Sequence, residues 1–131
     1  MAAPVTAPGR RRGRVAVVDD EPGVRRAVAR MLAAEHDVEE FDRGRALEDR
    51  VAAGGRFDAI LCDLMMPDMT GMELHGILRD RAASQAAAMI FMTGGAFTPA
   101  ARAFLDQVPN ARLEKPFTLA TLRALIRSMV V

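Results

Sequence analysis

The hydrophobic positions along this chain fall into two alternating patterns. Five apolar runs have the length of strands, and they lie at 14–19, 37–41, 57–63, 87–93 and 110–114. Between these runs, apolar residues recur at spacings of three and four, as in the segment 24–32, and this spacing predicts one apolar helical face. The chain is therefore predicted to contain five strands, each followed by a helix.

Turn and capping residues set the limits of the predicted helices. Pro22 suits the first turn of the helix after the first strand, while Thr98 and Thr118 suit N-caps of the last two helices. A helix is also predicted from about residue 71 to residue 83. The run at 37–41 is more polar than the others, which favours an edge strand.

Strict alternation of strands and helices predicts an α/β fold, because right-handed crossovers place helices on both faces of a parallel sheet. Five strands favour a flavodoxin-like (βα)5 three-layer sandwich with strand order 2-1-3-4-5 over a closed barrel, which needs about eight strands. Residues 14–131 are predicted to form this single domain. Residues 1–13 are rich in Ala, Pro, Gly and Arg and are predicted to be a flexible tail, whose GRRRGR run we interpret as solvated.

Composition narrows the class of protein. The net charge of +1 gives no argument for nucleic acid, and no apolar run is long enough to cross a membrane. The start of the chain lacks the apolar core of a secretory signal. A single cysteine, Cys62, cannot form an internal disulfide and is predicted to be a core thiol. We therefore expect a cytoplasmic protein.

Charged and hydroxyl side chains follow four of the predicted strands. Asp19 and Asp20 end the first, Asp63 the third and Thr93 the fourth, and Lys115, the only lysine among 18 basic residues, follows the fifth. Functional residues of such sheets lie just beyond the carboxyl ends of the strands. These side chains are therefore expected to converge on one edge of the sheet.

Carboxylates gathered this closely repel one another, and a divalent cation relieves that repulsion. Mg²⁺, or Mn²⁺ in its place, is expected to bind directly to Asp20, Asp63 and the backbone carbonyl of Met65, with Asp19 acting through water. Lys115 and the Thr93 hydroxyl would then bind oxygens of a phosphoryl group. Asp63, at the end of the central strand, is the expected nucleophile.

Four segments carry a family resemblance. VAVVDDEPGVR, DAILCDLMMPDMTGMEL, IFMTGGA and LEKPF resemble the receiver domain of two-component response regulators, over residues 14–129. The resemblance implies a signalling domain, not an enzyme in the usual sense, that catalyses its own Mg²⁺-dependent phosphorylation and dephosphorylation. Asp63 would be the phosphoacceptor, Thr93 the switch hydroxyl and Lys115 the phosphate-binding lysine. The implied partner is a sensor histidine kinase or a histidine phosphotransfer protein, and Lys115–Pro116 is expected to be a cis peptide.

One position departs from the family pattern. Receivers that report phosphorylation through a switch aromatic carry Tyr or Phe three residues before the lysine, whereas Arg112 stands there in this chain. Receivers of hybrid histidine kinases often lack that ring, and the segments around Thr93 and Lys115 look similar to theirs. This departure favours phosphorelay or kinase-linked signalling over transcription.

The expected output is protein contact or onward phosphoryl transfer by a stand-alone receiver, because no DNA-binding module follows the last helix. The surface formed by the fourth predicted helix, the fifth strand and the fifth helix is a candidate for that contact, as a monomer or a weak dimer. Four arginines are a candidate basic patch on this surface: Arg102, Arg112, Arg123 and Arg127.

Two other functions compete with the receiver. A hydrolase of the haloacid dehalogenase kind also uses Mg²⁺, Asp and Lys, but it needs a D-x-D motif after the first strand, where this chain reads VVDDEPG, and a cap domain. A phosphorylation-independent scaffold would be favoured by an incomplete acidic site. Among the remaining polar residues, His36 and His75 are predicted to lie at the surface. Glu21 is a candidate to assist the acidic group, but its predicted place is the first turn of a helix, where a negative charge is favoured.

Overall fold

The fold is known from a computed structural model that describes residues 11–94 and 98–130. Five strands form one parallel sheet in the order β2-β1-β3-β4-β5, which confirms the predicted topology. The strands are β1 (Arg14–Val18), β2 (Asp37–Phe41), β3 (Ala59–Asp63), β4 (Met89–Thr93) and β5 (Arg112–Glu114). The sheet therefore has β2 at one edge, as its polar sequence predicts.

The helices within the described residues are α1 (Pro22–Ala33), α2 (Gly44–Ala52), α3 (Gly71–Arg81), α4 (Ala83–Ala87), α5 (Pro99–Gln107) and α6 (Leu119–Met129). Thr98 and Thr118 cap α5 and α6 through their side chains, as predicted. Thr70 caps α3 in a reciprocal arrangement with Glu73, so two otherwise unpaired backbone N–H groups gain partners.

Two apolar clusters lie on opposite faces of the sheet. On one face, Val17 and Leu61 pack with Leu32 of α1 and with Leu122 of α6. On the other face, residues of the same strands pack against α2, α3 and α5. Successive side chains of a strand point to opposite faces, and each face here is covered by helices, so β3 and β4 are apolar up to the polar residues that end them, Asp63 and Thr93.

A short additional helix separates α3 from β4. The helix predicted at 71–83 ends at Arg81, and α4 follows it. Gln85 of α4 is buried and its side chain both accepts a hydrogen bond from the backbone N–H of Phe57 and donates one to the Phe57 carbonyl. The separate helix α4 thus places Gln85 where its side chain satisfies the backbone N–H and C=O groups of Phe57, just before β3.

The prediction that both histidines lie at the surface is wrong. Only 3% of His36 and 6% of His75 is exposed. His36 Nδ1 accepts a hydrogen bond of 3.0 Å from the backbone N–H of Gly13, and His75 packs edge-on against Phe104 at 5.3 Å between ring centroids. Each imidazole gained partners that are distant in the sequence, which local patterning does not reveal.

Residues 1–10 of the predicted tail lie outside the described residues, whereas 11–13 contact the domain. Arg12 donates hydrogen bonds to the carbonyls of Ala33 and His36 and forms an ion pair with Asp37. Carbonyls at the end of a helix lack partners within the helix, so Arg12 satisfies part of the C-terminus of α1. No helix of the described residues is both long and apolar enough to cross a membrane.

Candidate functional site

A cleft of about 270 Å³ opens at the carboxyl ends of the strands. Its lining includes Asp63 from β3, Thr93 from β4 and Lys115 after β5, together with Glu21 and Met65. Each of the three strand-derived side chains lies at or just after the last residue of its strand. The parallel register therefore brings residues that are far apart in the sequence to one opening.

Three carboxylates meet beside this cleft. One oxygen from each of Asp19, Asp20 and Asp63 lies within 4.8 Å of the other two. Asp19 is completely buried and accepts a hydrogen bond of 2.9 Å from the backbone N–H of Glu21, whereas Asp20 is exposed. The structure therefore confirms the prediction that these three acidic side chains lie close together.

Asp63 is the carboxylate whose ionisation is most perturbed. The pKa of Asp63 is raised to about 6, chiefly by burial and also by the neighbouring negative charges of Asp19 and Asp20. The Lys115 ammonium and a hydrogen bond from the backbone N–H of Met65 act in the opposite direction on this pKa. A bound cation would favour the ionised form of Asp63, which is the form that can act as a nucleophile.

Lys115 reaches across the opening to two of these carboxylates. Its Nζ atom lies 3.3 Å from Asp19 Oδ2 and 3.7 Å from Asp63 Oδ1, and its side chain is 24% exposed. The backbone N–H of Lys115 donates a hydrogen bond of 2.8 Å to the Thr93 carbonyl, so both residues are tied to the same part of the sheet. The Lys115–Pro116 peptide is cis, as expected.

Thr93 contributes a hydroxyl that is buried beside the cleft. The residue is 2% exposed, and its Oγ1 atom has no hydrogen-bond partner in the part of the chain that the structure describes. A buried hydroxyl without a partner is costly, and functional sites are one place where this cost is retained. The hydroxyl is therefore available to donate to an oxygen-rich ligand.

The acidic group fits a hard divalent cation. Ligand oxygens bind Mg²⁺ at about 2.0–2.1 Å, so two oxygens on opposite sides of one ion lie about 4.2 Å apart. One oxygen from each of the three carboxylates lies within 4.8 Å of the other two, a spacing that suits ligands of one such ion, directly or through water. The direct binding of Asp20 and Asp63, the indirect role of Asp19 and the contribution of the Met65 carbonyl stay predictions.

Close packing limits which residue can stand where the loop after β3 enters α3, at Gly71. A Cβ atom at Gly71 would lie 2.9 Å from the carbonyl oxygen of Asp63 and 3.1 Å from Leu64 Cα. The backbone N–H of Gly71 also donates to the Leu64 carbonyl. Only glycine permits this close approach of α3 to the end of β3, so the first residue of α3 helps to hold Asp63 in place.

Arg112 is exposed on β5, opposite Phe91 of β4 in the register. The aromatic packing next to β5 lies between β4 and α5 instead, where the ring centroids of Phe91 and Phe104 are 5.2 Å apart. His75 of α3 completes this buried cluster. The hydrophobic pattern of the sequence does not reveal this cluster, because its three rings come from separate elements.

The predicted patch of four arginines does not form as one surface. Arg127 is hydrogen-bonded to Glu35, at the end of α1, and Arg123 donates to the Met31 carbonyl. These two side chains are therefore turned from α6 toward α1, away from the surface that α5 and β5 share with α6. Ion pairing with Glu35 draws them there.

Two further residues border the acidic group. Glu21 lies immediately before α1 as its N-cap residue, not within the first turn as predicted, and it lines the cleft. Arg25 donates from Nη1 to the backbone carbonyl of Asp19 at 3.0 Å. Arg25 was not among the predicted site residues, although its position five residues after Asp20 was a usable signal.

Comparison with known proteins gives consistent results. The family model described as "Response regulator receiver domain" matches residues 15–127. The chain is 37% identical over 130 residues to the transcriptional regulatory protein TcrA of Mycobacterium tuberculosis, covering 93% of this chain and 49% of that protein. It is 33% identical over 119 residues to the response regulator ArlR of Staphylococcus saprophyticus, covering 89% of this chain and 52% of that protein. The chain thus spans about half the length of these curated relatives.

Solved structures show the same architecture. The chemotaxis protein CheY4 of Vibrio cholerae superimposes with a TM-score of 0.75 at 28% identity, over 91% of this chain and 99% of CheY4. Full-length FixJ of B. japonicum superimposes with a TM-score of 0.79 at 28% identity, over 91% of this chain and 58% of FixJ. The similarity extends over nearly the whole described domain.

Proposed function

The chain belongs to the response regulator receiver domain family, and from this we propose that it accepts a phosphoryl group from a phosphohistidine partner onto Asp63. The arrangement at the cleft carries the proposal. The Asp63 carboxylate lies within 4.8 Å of two other carboxylates and 3.7 Å from the only lysine of the chain. A nucleophile, a cation site and a phosphate-binding ammonium thus occur together.

In the proposed reaction, an Asp63 oxygen attacks the phosphorus of the phosphohistidine in line with the leaving nitrogen. The O–P bond forms while the N–P bond breaks, and the released imidazole leaves with the electron pair and takes up a proton. Lys115 would turn from the carboxylates to one phosphoryl oxygen, and the Thr93 hydroxyl would donate to another. Catalysis of this kind depends on positioning and charge neutralisation more than on covalent chemistry by other groups.

Asp20, Asp63 and the Met65 carbonyl would hold the cation, with Asp19 behind them. When bound, Mg²⁺ or Mn²⁺ would supply neutralisation of the negative charge shared by Asp63 and the phosphoryl oxygens. Asp19 is completely buried and hydrogen-bonded to Lys115, which suits an indirect role better than direct contact. Hydrolysis of the acyl phosphate by water would return the domain to its first state.

The proposed partner is a sensor histidine kinase or a histidine phosphotransfer protein. An open groove of about 410 Å³ adjoins the cleft, lined by Val24, Val28 and Met31 of α1 and by Pro116 and Phe117 after Lys115. A partner helix that presents its histidine to Asp63 would cross this groove, because Lys115 lines both spaces. Apolar contact beside the reacting groups would hold the partner during transfer.

We propose protein contact or onward phosphoryl transfer as the output, in a cytoplasmic phosphorelay or kinase-linked pathway. The exposed Arg112 at the position of the switch aromatic supports this assignment. A second candidate, control of transcription by an attached domain, is favoured by the name of the relative TcrA and by the coverage of only 49% of its length. The mass of the native protein in its source cells distinguishes the two: a mass close to 14.2 kDa supports a stand-alone receiver.

Incubation with acetyl phosphate tests the phosphoacceptor proposal. The wild-type protein should gain the mass of one phosphoryl group with Mg²⁺ present and none with EDTA, and Asp63→Asn should gain none. Absence of any Mg²⁺-dependent phosphorylation of the folded wild type would favour the scaffold. Release of phosphate from many small phosphomonoesters, without dependence on a histidine partner, would favour the hydrolase.

A further inference from the structure

Arg25 connects the acidic loop to the neighbouring edge strand. Its Nη1 atom donates to the Asp19 carbonyl at 3.0 Å, and its Nε atom donates to Glu40 Oε1 of β2 at 3.2 Å. The Arg25 side chain is only 13% exposed, although it carries a full charge. A guanidinium buried to this extent and held by two different elements is fixed in orientation.

We propose that Arg25 is a positioning residue for the divalent cation site, acting through the peptide that joins Asp19 to Asp20. The inference deepens the proposed function and rests on it, since the cation is the one that phosphorylation of Asp63 would need. Arg25 touches neither the cation nor the phosphoryl group in this account. Its contribution is the direction in which the Asp20 carboxylate points.

The backbone and side chain of Asp19 are held by three hydrogen bonds, one of which reaches the peptide that joins it to Asp20. The Asp19 N–H donates to the Phe41 carbonyl at 3.1 Å, and the Asp19 carboxylate accepts from the N–H of Glu21. Arg25 holds the remaining group, the Asp19 carbonyl. Because a peptide unit is planar, fixing its carbonyl also fixes the N–Cα bond of Asp20.

Asp20 itself depends on this backbone restraint. Its side chain is exposed, and the structure gives it no hydrogen bond or ion pair among residues 11–94 and 98–130. Nothing attached to the Asp20 carboxylate therefore holds it toward Asp19 and Asp63. The backbone conformation directs the Asp20 carboxylate toward the other two, and Arg25 restrains that backbone through the Asp19 carbonyl. Groups behind metal ligands commonly act in this way.

Glu40 has a separate electrostatic part in the arrangement. A lone guanidinium beside the site would repel a divalent cation, and the Glu40 carboxylate offsets that charge. Arg25 can thus serve as a hydrogen-bond donor without opposing the cation. Removal of the Arg25 charge alone should strengthen cation binding, whereas loss of positioning should weaken it. The two effects have opposite signs and can be separated by experiment.

Calorimetric titration of the folded protein with MgCl₂ tests the inference. If Arg25 positions Asp20, Arg25→Gln should bind Mg²⁺ roughly tenfold more weakly than wild type at high ionic strength, where salt screens the effect of the lost charge. Arg26→Gln, which removes the same charge from an exposed neighbour on α1, should bind Mg²⁺ as wild type does. Glu40→Gln should weaken binding at low ionic strength, with a loss that shrinks as salt screens the exposed charge.

Several outcomes would overturn the inference. Binding of Mg²⁺ by Arg25→Gln at the affinity of Arg26→Gln would show that Arg25 does not position the site, and tighter binding than wild type would leave charge as its only role. If Arg25→Gln does not fold, Arg25→Lys provides the test, since it keeps the charge but lacks the guanidinium that donates to both Asp19 and Glu40; unchanged Mg²⁺ affinity in that variant contradicts the account. A folded wild type that binds no Mg²⁺ would remove both this inference and the proposed function, whereas failure in the variants alone would leave the proposed function intact.

Discussion

The side chain of Lys115 donates a hydrogen bond of 3.3 Å to the completely buried carboxylate of Asp19. Asp19 follows β1 and Lys115 follows β5, with β3 and β4 between these strands in the sheet. The ammonium also lies 3.7 Å from Asp63. Lys115 therefore crosses the cleft and partly neutralises the acidic group, in a position from which it can turn to a phosphoryl oxygen.

Replacement of Lys115 by arginine should separate phosphorylation from its structural consequence. The charge is kept, but the planar guanidinium is broader than an ammonium and does not fit beside both carboxylates and a cation. We expect K115R to be phosphorylated by acetyl phosphate, as judged by intact mass, while the phosphorylation-dependent change in amide hydrogen exchange of β4 and α5 is lost. R112K, at an exposed position of β5, is the matched control and should behave as wild type. An unchanged exchange response in K115R would contradict this role.

Asp63→Asn should stabilise the protein when no divalent cation is present. The pKa of Asp63 is raised from 3.8 to about 6, so the folded state binds more protons than the unfolded state between these values. Stability is therefore lost as pH rises through this window, and the loss is complete above about pH 6. At about pH 7.5 we expect a gain on the order of 2 kcal/mol in urea denaturation with EDTA.

The same measurement below the window provides the control for Asp63→Asn. At about pH 4, where the Asp63 carboxyl is largely protonated in the folded protein, the variant and the wild type should have similar stability. Addition of Mg²⁺ at the higher pH should stabilise the wild type more than the variant. A variant that is less stable than wild type at both pH values would show that the carboxylate is not under electrostatic strain.

Two glycines of α3 should respond in opposite ways to alanine. Gly71→Ala would bring a Cβ atom to 2.9 Å from the Asp63 carbonyl, so we expect a loss of about 1–3 kcal/mol in the free energy of unfolding. Gly76 lies within the helix, and apart from its chain neighbours and the backbone of its own helix, no heavy atom of the described residues lies within 4 Å of the Cβ it would gain. Gly76→Ala should therefore stabilise the protein by roughly 0.4–1 kcal/mol. Equal effects of the two substitutions in urea denaturation would contradict the close approach at Gly71.

Much of this fold follows from local patterning, whereas several contacts within it do not. Strand order, the caps at Thr98 and Thr118 and the convergence of the strand ends follow from hydrophobic period and turn chemistry. The burial of His36 and His75 was missed because their partners are supplied by remote segments. Arg25 was missed for a similar reason, since its role depends on β2 lying beside β1.

Acidification should destabilise the domain through His36. Its pKa is lowered from 6.5, first by burial, and the neutral ring accepts the Gly13 N–H at Nδ1. The unfolded chain then binds a proton that the folded protein does not, so stability falls as pH drops through about 6.5. Four neighbouring charges act on this ring, two raising its pKa and two lowering it: Glu35, Asp58, Arg12 and Arg127.

His36→Gln is the variant that checks the effect of His36. Glutamine offers an uncharged acceptor and does not titrate, so its unfolding temperature should fall less than that of wild type between about pH 7.5 and about pH 5.5. The difference between the two proteins removes the contributions of His75 and Asp63, which both proteins share. Identical pH dependence in the two proteins would show that His36 is not the group that titrates.

The most direct test of the central claim is to locate the phosphoryl group itself. After incubation with acetyl phosphate and Mg²⁺, reduction with borohydride converts a phosphorylated aspartate to homoserine, which fragmentation of the proteolytic peptide can assign to one position. We predict homoserine at position 63 alone, and none when EDTA replaces Mg²⁺. Homoserine at position 19 or 20, or in equal amounts with and without the cation, would contradict Asp63 as the phosphoacceptor.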